Sequence, residues 1–394
     1  IEFAIDAAGV QTISVASALP PIPAGVFING ITQPGASCDG QGWPTLMIEI
    51  EGSGAPGGTD GLTVSGSDVT VRGLVINRFP GDGVHVVGAS GVRIECNFVG
   101  TDAAGTQGYG NGGVGIRLIG SSDSPIGAYN LISANAVAGI LIDATSSDNR
   151  LSGNRIGTDG AALAPLGNLD GVVARGANNL IDFNVISGNL DNGIVIDGAT
   201  ATGNRVTSNA VGAAFNGIAP LGNGGAGIYL ENGASQNIIG ESTYPFPDNS
   251  FRENGASGVR VVGDTTIDNS IRGNFISQNG GVGIDLGDVS ANPNDPDDPD
   301  VGPNRLQNAP ELAPDAYLTG SGPWTLLTVT FSVPTSPANA TYPLLVDVYL
   351  ADVDAEEGTD YLGTISYGTA DFAAGALQRT FTIANPVGIG DYIV

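Results

Sequence analysis

Four charged residues, Asp143, Arg175, Asp197 and Glu231, hold one place in successive copies of a short motif. Each is the fourth residue after a glycine: Gly139, Gly171, Gly193 and Gly227. If the copies stack as parallel strands, these side chains stand roughly 5 Å apart on one outward column. A carboxylate pair about 5–5.5 Å apart is the nucleophile and acid–base pair of a retaining glycosidase. Asp197 and Glu231 are the candidates for that chemistry. The plainer reading is a charge ladder, because Arg175 falls between Asp143 and Asp197. The only histidine, His85, sits two residues after Gly83 and is expected to face outward. A solitary surface imidazole is expected to be inert. Its column continues through Arg117, Leu141, Val173, Val195, Tyr229 and Arg260, with an apolar middle. Such a stripe is either covered by a loop or is a contact surface.

Two further groups bear on chemistry. Asp295, Asp297, Asp298 and Asp300 crowd into ANPNDPDDPDVGPN. Closely spaced carboxylates with carbonyls suit calcium, which takes six to eight oxygens. The same composition also suits a stiff, solvated linker. Cys38 and Cys96 are too few for a zinc site or a disulfide-built scaffold. They are open to pairing in an oxidising compartment or to standing as separate thiols. A bond between them would close a loop of nearly sixty residues and stabilise the chain by roughly 3–4 kcal/mol.

The elements that position these residues are read from the repeat. Gly followed by Ile or Val, a variable residue and usually another apolar one begins at Gly61, Gly83, Gly115, Gly139, Gly171, Gly193, Gly227, Gly258 and Gly283. A second line built on asparagine alternates with it, at Asn97, Asn130, Asn154, Asn184, Asn209 and Asn274. Successive Gly lines lie 22 to 34 residues apart. Units this short cannot close a core alone and must stack. They hold two or three short β-runs and leave no room for a crossover helix, so equivalent strands lie in parallel, coil over coil. The asparagines suit a ladder at a bend, where their amides satisfy turn backbone. Insertions from Gly100, Gly157 and Gly212 should protrude on one side.

These lines, including NVISGN and GNRIGTD, resemble the right-handed parallel β-helix repeat proteins of the pectate-lyase-like superfamily, and more narrowly large secreted bacterial surface proteins. The resemblance covers about residues 1–310. It implies an all-β, right-handed parallel β-helix of about nine coils. For activity it implies little, because the superfamily holds lyases, hydrolases, epimerases, adhesins and tail spikes. The polygalacturonase-like signature requires a basic RIK-type motif, and this chain has no lysine. No arginine here sits in a pectate-lyase-like motif. The expected organisation is an N-terminal cap and first coil at 1–58, the β-helix at 59–287, an acidic Pro-rich linker at 288–313, and a β-sandwich at 314–394. The last is read from four or five alternating runs that begin with WTLLTVTFSV.

Composition bounds the partners. Forty acidic residues face 13 arginines, for a net charge of −27. Such a surface repels nucleic acid and anionic lipid and favours cations. No apolar run is long enough to span a bilayer as a helix. The leading expectation is a non-catalytic extracellular or cell-surface structural protein, an adhesin-like stalk or fibre subunit. Like subunits would join by strand addition through the ends of the chain, Ile1–Ile5 and Asp391–Val394. The alternatives are a polysaccharide-active enzyme, lyase or glycosidase, using the outward acidic stack, and a sugar-binding module without turnover.

Overall fold

The computed structural model describes residues 1–40, 42–215, 219–241, 248–287, 292–314, 317–319, 325–351 and 357–383. Three long parallel sheets wrap one core, forming a right-handed parallel β-helix. Sheet 1 has ten strands, from Gln11–Ser14 to Phe275–Ser277. Sheet 2 has nine, from Phe27–Asn29 to Ser270–Ile271. Sheet 3 also has nine, from Leu62–Val64 to Ile284–Leu286, and is built from the Gly line. Within each coil the chain runs through sheet 3, sheet 2 and sheet 1, then climbs one level.

Alternation drives this arrangement. Ile94, Ile126, Leu151, Ile181 and Val206 stack inward from sheet 2, each with no exposed surface. Ile116, Ile140, Val172, Ile194 and Ile228 do the same from sheet 3. The glycine of the Gly line is set by space rather than by φ. A Cβ on Gly139 would lie 2.7 Å from the Gly171 carbonyl oxygen and 3.0 Å from Asn168 Nδ2.

The expected asparagine ladder is present, and it is one of three, one at each corner. Between sheets 2 and 1 it runs Asn97, Asn130, Asn154, Asn184, Asn209, Asn249, Asn274, with Nδ2 to Oδ1 distances of 2.9–3.3 Å. Between sheets 1 and 3 it runs from Asn111 through Asn135, Asn168, Asn189, Asn223 and Asn254 to Asn279. The third, from Asn149 to Asn304, turns the chain from sheet 3 into sheet 2. The three insertions protrude together: the Gly160 N–H donates to Gly105 O and the Phe215 N–H to Ala162 O.

Residues 1–58 supply the first strands of sheets 1 and 2. Ile31, Trp43 and Leu46 cover the outer face of sheet 1, burying Leu46 with Val75, Phe98 and Leu131. Cys38 and Cys96 form a disulfide, with Cα atoms 6.4 Å apart, that fastens this cover to the coil beneath. Beyond the helix, two antiparallel sheets share a second core. Thr325–Ser332 pairs with Leu377–Ile383 in one, and Leu344–Ala351 pairs with Gly358–Tyr367 in the other. A short α-helix at Thr369–Ala374, absent from the sequence reading, caps this unit. The C-terminal unit docks on the last coil: Arg272 Nη2 lies 2.6 Å from Asp347 Oδ1, and the Asn279 amide donates to Glu357 Oε1 at 2.9 Å. Asp391–Val394, invoked above for assembly, lies outside the described residues.

Asn154 is a stringent probe of the ladders. Its Nδ2 donates to Ile126 O and Asn184 Oδ1, and its Oδ1 accepts from Asn130. Asn154→Ala strands these groups without water, so a stability loss of about 3 kcal/mol or more is expected in denaturant unfolding. A change within about 0.5 kcal/mol contradicts the ladder's role.

Candidate active site on the outer face of sheet 3

The outward residues of sheet 3 form a continuous face across nine strands, on the order of 40 Å long. Its apolar middle is packed rather than open. Leu141, Val173 and Val195 are nearly buried against Val114, Ala138 and the partly buried Tyr229. In the column of His85 the charged groups lie toward the two ends, whereas the stack from Asp143 to Glu231 runs beside the apolar middle.

Among the acidic stack, Asp143 is absorbed by its own turn. It accepts hydrogen bonds from Thr145 and Ser146 at 2.8 Å each. Burial raises its pKa, but these bonds and the neighbouring N–H groups outweigh that and leave it lowered. Arg175 Nε reaches Asp197 Oδ2 at 2.7 Å, and Asn232 Nδ2 reaches the other oxygen at 2.8 Å. Asp197 and Glu231 are register partners on adjacent strands. Partial burial, then the Asp197 charge, push the Glu231 carboxyl up, while Arg175 opposes this. The stack therefore sets Asp197, anchored by Arg175 and Asn232, beside Glu231, whose pKa is raised, and Arg175 ties into it as in a charge ladder.

His85 is not solitary. Its Nδ1 lies 2.9 Å from Asp60 Oδ2, and Asp60 Oδ1 accepts the Asp82 N–H at 2.7 Å. Asp82 takes the Arg117 guanidinium on both oxygens, Nε at 2.5 Å and Nη2 at 3.1 Å. The Val114 N–H adds a further bond to Asp82 at 2.7 Å. An acceptor-only carboxylate at Nδ1 places the ring proton there and leaves the Nε2 lone pair for chemistry. That Nε2 meets no hydrogen-bond partner among the described residues and is itself buried. Asp82 also holds Arg117 firmly protonated. Asp60 and Asp82 each stand just before a Gly-line glycine, a column that sequence reasoning did not follow. Nothing in the sequence alone aligns that column with His85, two residues beyond the same glycine.

Asp60, Asp82 and His85 are also the one group among the described residues that brings three potential metal ligands within 4.8 Å. Arg117 already neutralises Asp82, which favours proton chemistry over cation binding there. The four acidic residues read as a calcium loop do not gather in this way. Asp298 is buried, and its Oδ2 accepts from Thr335 Oγ1 at 2.7 Å and from the Asn308 N–H at 3.3 Å. Asp295 holds Asn308 through its backbone, and the Asp297 carbonyl accepts from Ser336 and Asn339. Asp300 is half-buried. The segment is thus packed against the C-terminal unit rather than loose.

Glu231 gives a pH test. Its folded pKa is raised above the unfolded value, so the folded state binds its proton more tightly. Stability is therefore lost as pH rises from the ordinary glutamate range through the raised value. Glu231→Gln should be more stable than the parent at neutral pH, with the difference vanishing below the ordinary glutamate pKa. Equal thermal midpoints across that range would refute the raised pKa.

No family model and no curated relative matches the sequence. Solved structures do match. The periplasmic alginate epimerase AlgG is 14% identical, with 66% of this chain and 65% of that chain covered and a TM-score of 0.33. The A-module of the Azotobacter vinelandii mannuronan C-5 epimerase AlgE6 is 16% identical, with 70% and 62% covered and a TM-score of 0.33. An alginate lyase from Paenibacillus sp. str. FPU-7 is 18% identical, with 71% and 99% covered and a TM-score of 0.26. The chain thus spans just under two thirds of the epimerase AlgG that it matches. By its own three parallel sheets and their repeat, the chain is a right-handed parallel β-helix repeat protein.

Proposed function

We propose that the protein is an extracytoplasmic, polysaccharide-active enzyme whose acid–base centre is His85. The observation that carries this reading is the convergence of an imidazole, two carboxylates and a guanidinium on the outer face of sheet 3. Asp60 orients the ring. The Nε2, unpartnered among the described residues but buried in this structure, is in this reading the base for a carbon-bound proton next to a uronate carboxylate, and the substrate must displace the groups over it to reach it. Arg117, shared with Asp82, places positive charge close by for the enolate that develops. Elimination then makes this a lyase: the electrons of the C–H bond form a C=C bond, the glycosidic C–O bond β to the carboxylate breaks, and the leaving oxygen takes a proton from water. A long, regular face suits a linear polymer better than a small substrate. The disulfide supports an oxidising compartment, and among the described residues no helix is long and apolar enough to cross a membrane.

The test is incubation with uronate and neutral polysaccharides, following unsaturated products, reducing ends and exchange of the carbon-bound proton with solvent. His85→Ala should lower kcat by about 10²–10⁴-fold with an unchanged melting temperature. A parent protein inactive on the whole panel, or a fully active His85→Ala, would overturn the assignment.

The structural reading, a stalk or fibre subunit, rests on one feature. The strand Gln11–Ser14 ends sheet 1 with a single neighbour, whereas bridges at Glu2–Asn29 and Ile22–Val64 close the ends of sheets 2 and 3. Strand addition at that edge predicts particles well above 40 kDa at high concentration in sedimentation. A monodisperse monomer there leaves the enzyme reading alone.

A further inference from the structure

A second feature lies on a different side of the helix, at the corner where sheet 2 turns into sheet 1. A cleft of about 590 Å³ opens there. Trp43 from the disulfide-held cover forms one wall, and Phe215 from the third insertion contributes the other. Arg155 lies between them, its Cζ 3.7 Å over the Trp43 ring and 4.9 Å from the Phe215 ring. Trp43 is fixed in turn by stacking on Phe98 at 6.1 Å and by the edge of Tyr129, also at 6.1 Å.

Two aromatic residues along the floor are out of keeping with the fold. Tyr129 and Phe183 occupy the turn position just before the ladder asparagine, with φ of +67° and +55°. Glycine fills this place in the intervening coil, at Gly153 with φ +72°. A bulky residue in the left-handed region is strained. Both strained residues are also exposed, Tyr129 by 37% and Phe183 by 65%, as is Phe215 at 64%. Neither phenylalanine ring contributes to the core. Tyr129 and Phe183 stand two coils apart, about 10 Å, with the Gly153 notch between them. Such spaced platforms are suited to successive rings of an extended chain.

The charge of the cleft is also out of keeping with the molecule. In a protein of net charge −27, its lining carries Arg93, Arg150 and Arg155 against the single acid Glu95. Arg150 is held in a fork by Asp182, at 2.6 and 3.2 Å, and remains half exposed. Arg155 gives one N–H to the Gly160 carbonyl, and burial lowers its pKa, a cost to the folded chain that an incoming anion would offset. An anionic ligand with flat apolar faces satisfies both features. Nucleic acid shares that chemistry but is opposed by the surrounding acidic surface.

We infer that this cleft binds an anionic polysaccharide segment, with Tyr129, Phe183 and Phe215 stacking on sugar rings and Arg93, Arg150 and Arg155 receiving uronate or sulfate groups. It shares a substrate class with the function proposed above, but it is a separate site on another face and needs none of the His85 chemistry. It would hold the polymer against the rod independently of turnover.

The experiment uses the full chain carrying His85→Ala, so that binding is read without turnover. Titration calorimetry with polygalacturonate, polymannuronate, dextran sulfate and neutral dextran measures affinity. A double variant, Phe183→Gly with Phe215→Ala, removes two platforms. It should fold normally, because glycine is the residue this turn accommodates at Gly153, and its melting temperature checks that. The expected result is binding of at least one anionic polymer but not of neutral dextran, weakened about tenfold or more in the double variant. Arg93→Ala should weaken the same polymer and reduce the salt dependence. Equal affinity of the double variant, equal binding of neutral dextran, or no binding of any polymer overturns the inference. A parent chain that binds without turning over any polymer leaves the cleft standing and removes the His85 assignment, so the two failures are distinct.

Discussion

Every level of this molecule depends on the buried asparagine amide. At each corner of the helix the backbone turns sharply, and its N–H and C=O groups lose contact with water. An asparagine whose oxygen accepts from the coil on one side, and whose nitrogen donates to the next coil and to a carbonyl, satisfies them all. This works only if the next coil presents an asparagine at the same height. The requirement propagates, so the ladders fix the vertical register of all three sheets. Apolar stacks then follow, because a set register aligns each inward isoleucine and valine with its neighbours.

A ladder must also end. Its last amide faces no further coil and would be left unpaired in a dry interior, which is costly. The C-terminal unit meets this need. Glu357 accepts both the backbone N–H and the side-chain amide of Asn279. Asp347 accepts the Gly273 N–H beside Asn274 and the Arg272 guanidinium. The two antiparallel sheets are therefore a lid on the helix as much as a domain of their own. At the other end, bridges from the first residues close sheets 2 and 3.

With the interior committed to this regularity, chemistry is confined to the outward positions. Each outward column is a row of side chains at one-coil spacing, and its character changes along the rod. On sheet 3 it passes from His85 and Arg117 through an apolar middle to Tyr229 and Arg260. At the corner of sheets 2 and 1, turn positions tolerant of a left-handed backbone carry aromatic rings instead of glycine. The acidic surface elsewhere makes such local concentrations of arginine more selective, since an anionic polymer is repelled from everything around them.

The sequence by itself determined the coil. Gly and Asn lines recur at short intervals with β-runs and no room for a helix, so the stacked parallel sheets, the protruding insertions and the trailing antiparallel unit were legible. Outward and inward positions followed from alternation, and His85 was correctly placed outward. What it faces was decided only by the tertiary structure. Asp60, 25 residues before His85, bonds the ring from the adjacent coil, and Asp82, three residues before His85 on the same coil, gives its N–H to Asp60, because the two coils are stacked in register. The same holds for the cleft, whose walls come from residues 43, 155 and 215 on three separate coils and loops. The pairing of Cys38 with Cys96 also depended on where the N-terminal cover folds back, which no repeat encodes. Local pattern fixes which way a side chain points, because that depends on the strand's own pleat. Which side chains meet depends on loop lengths and on the vertical register, and those exist only once the coils are stacked.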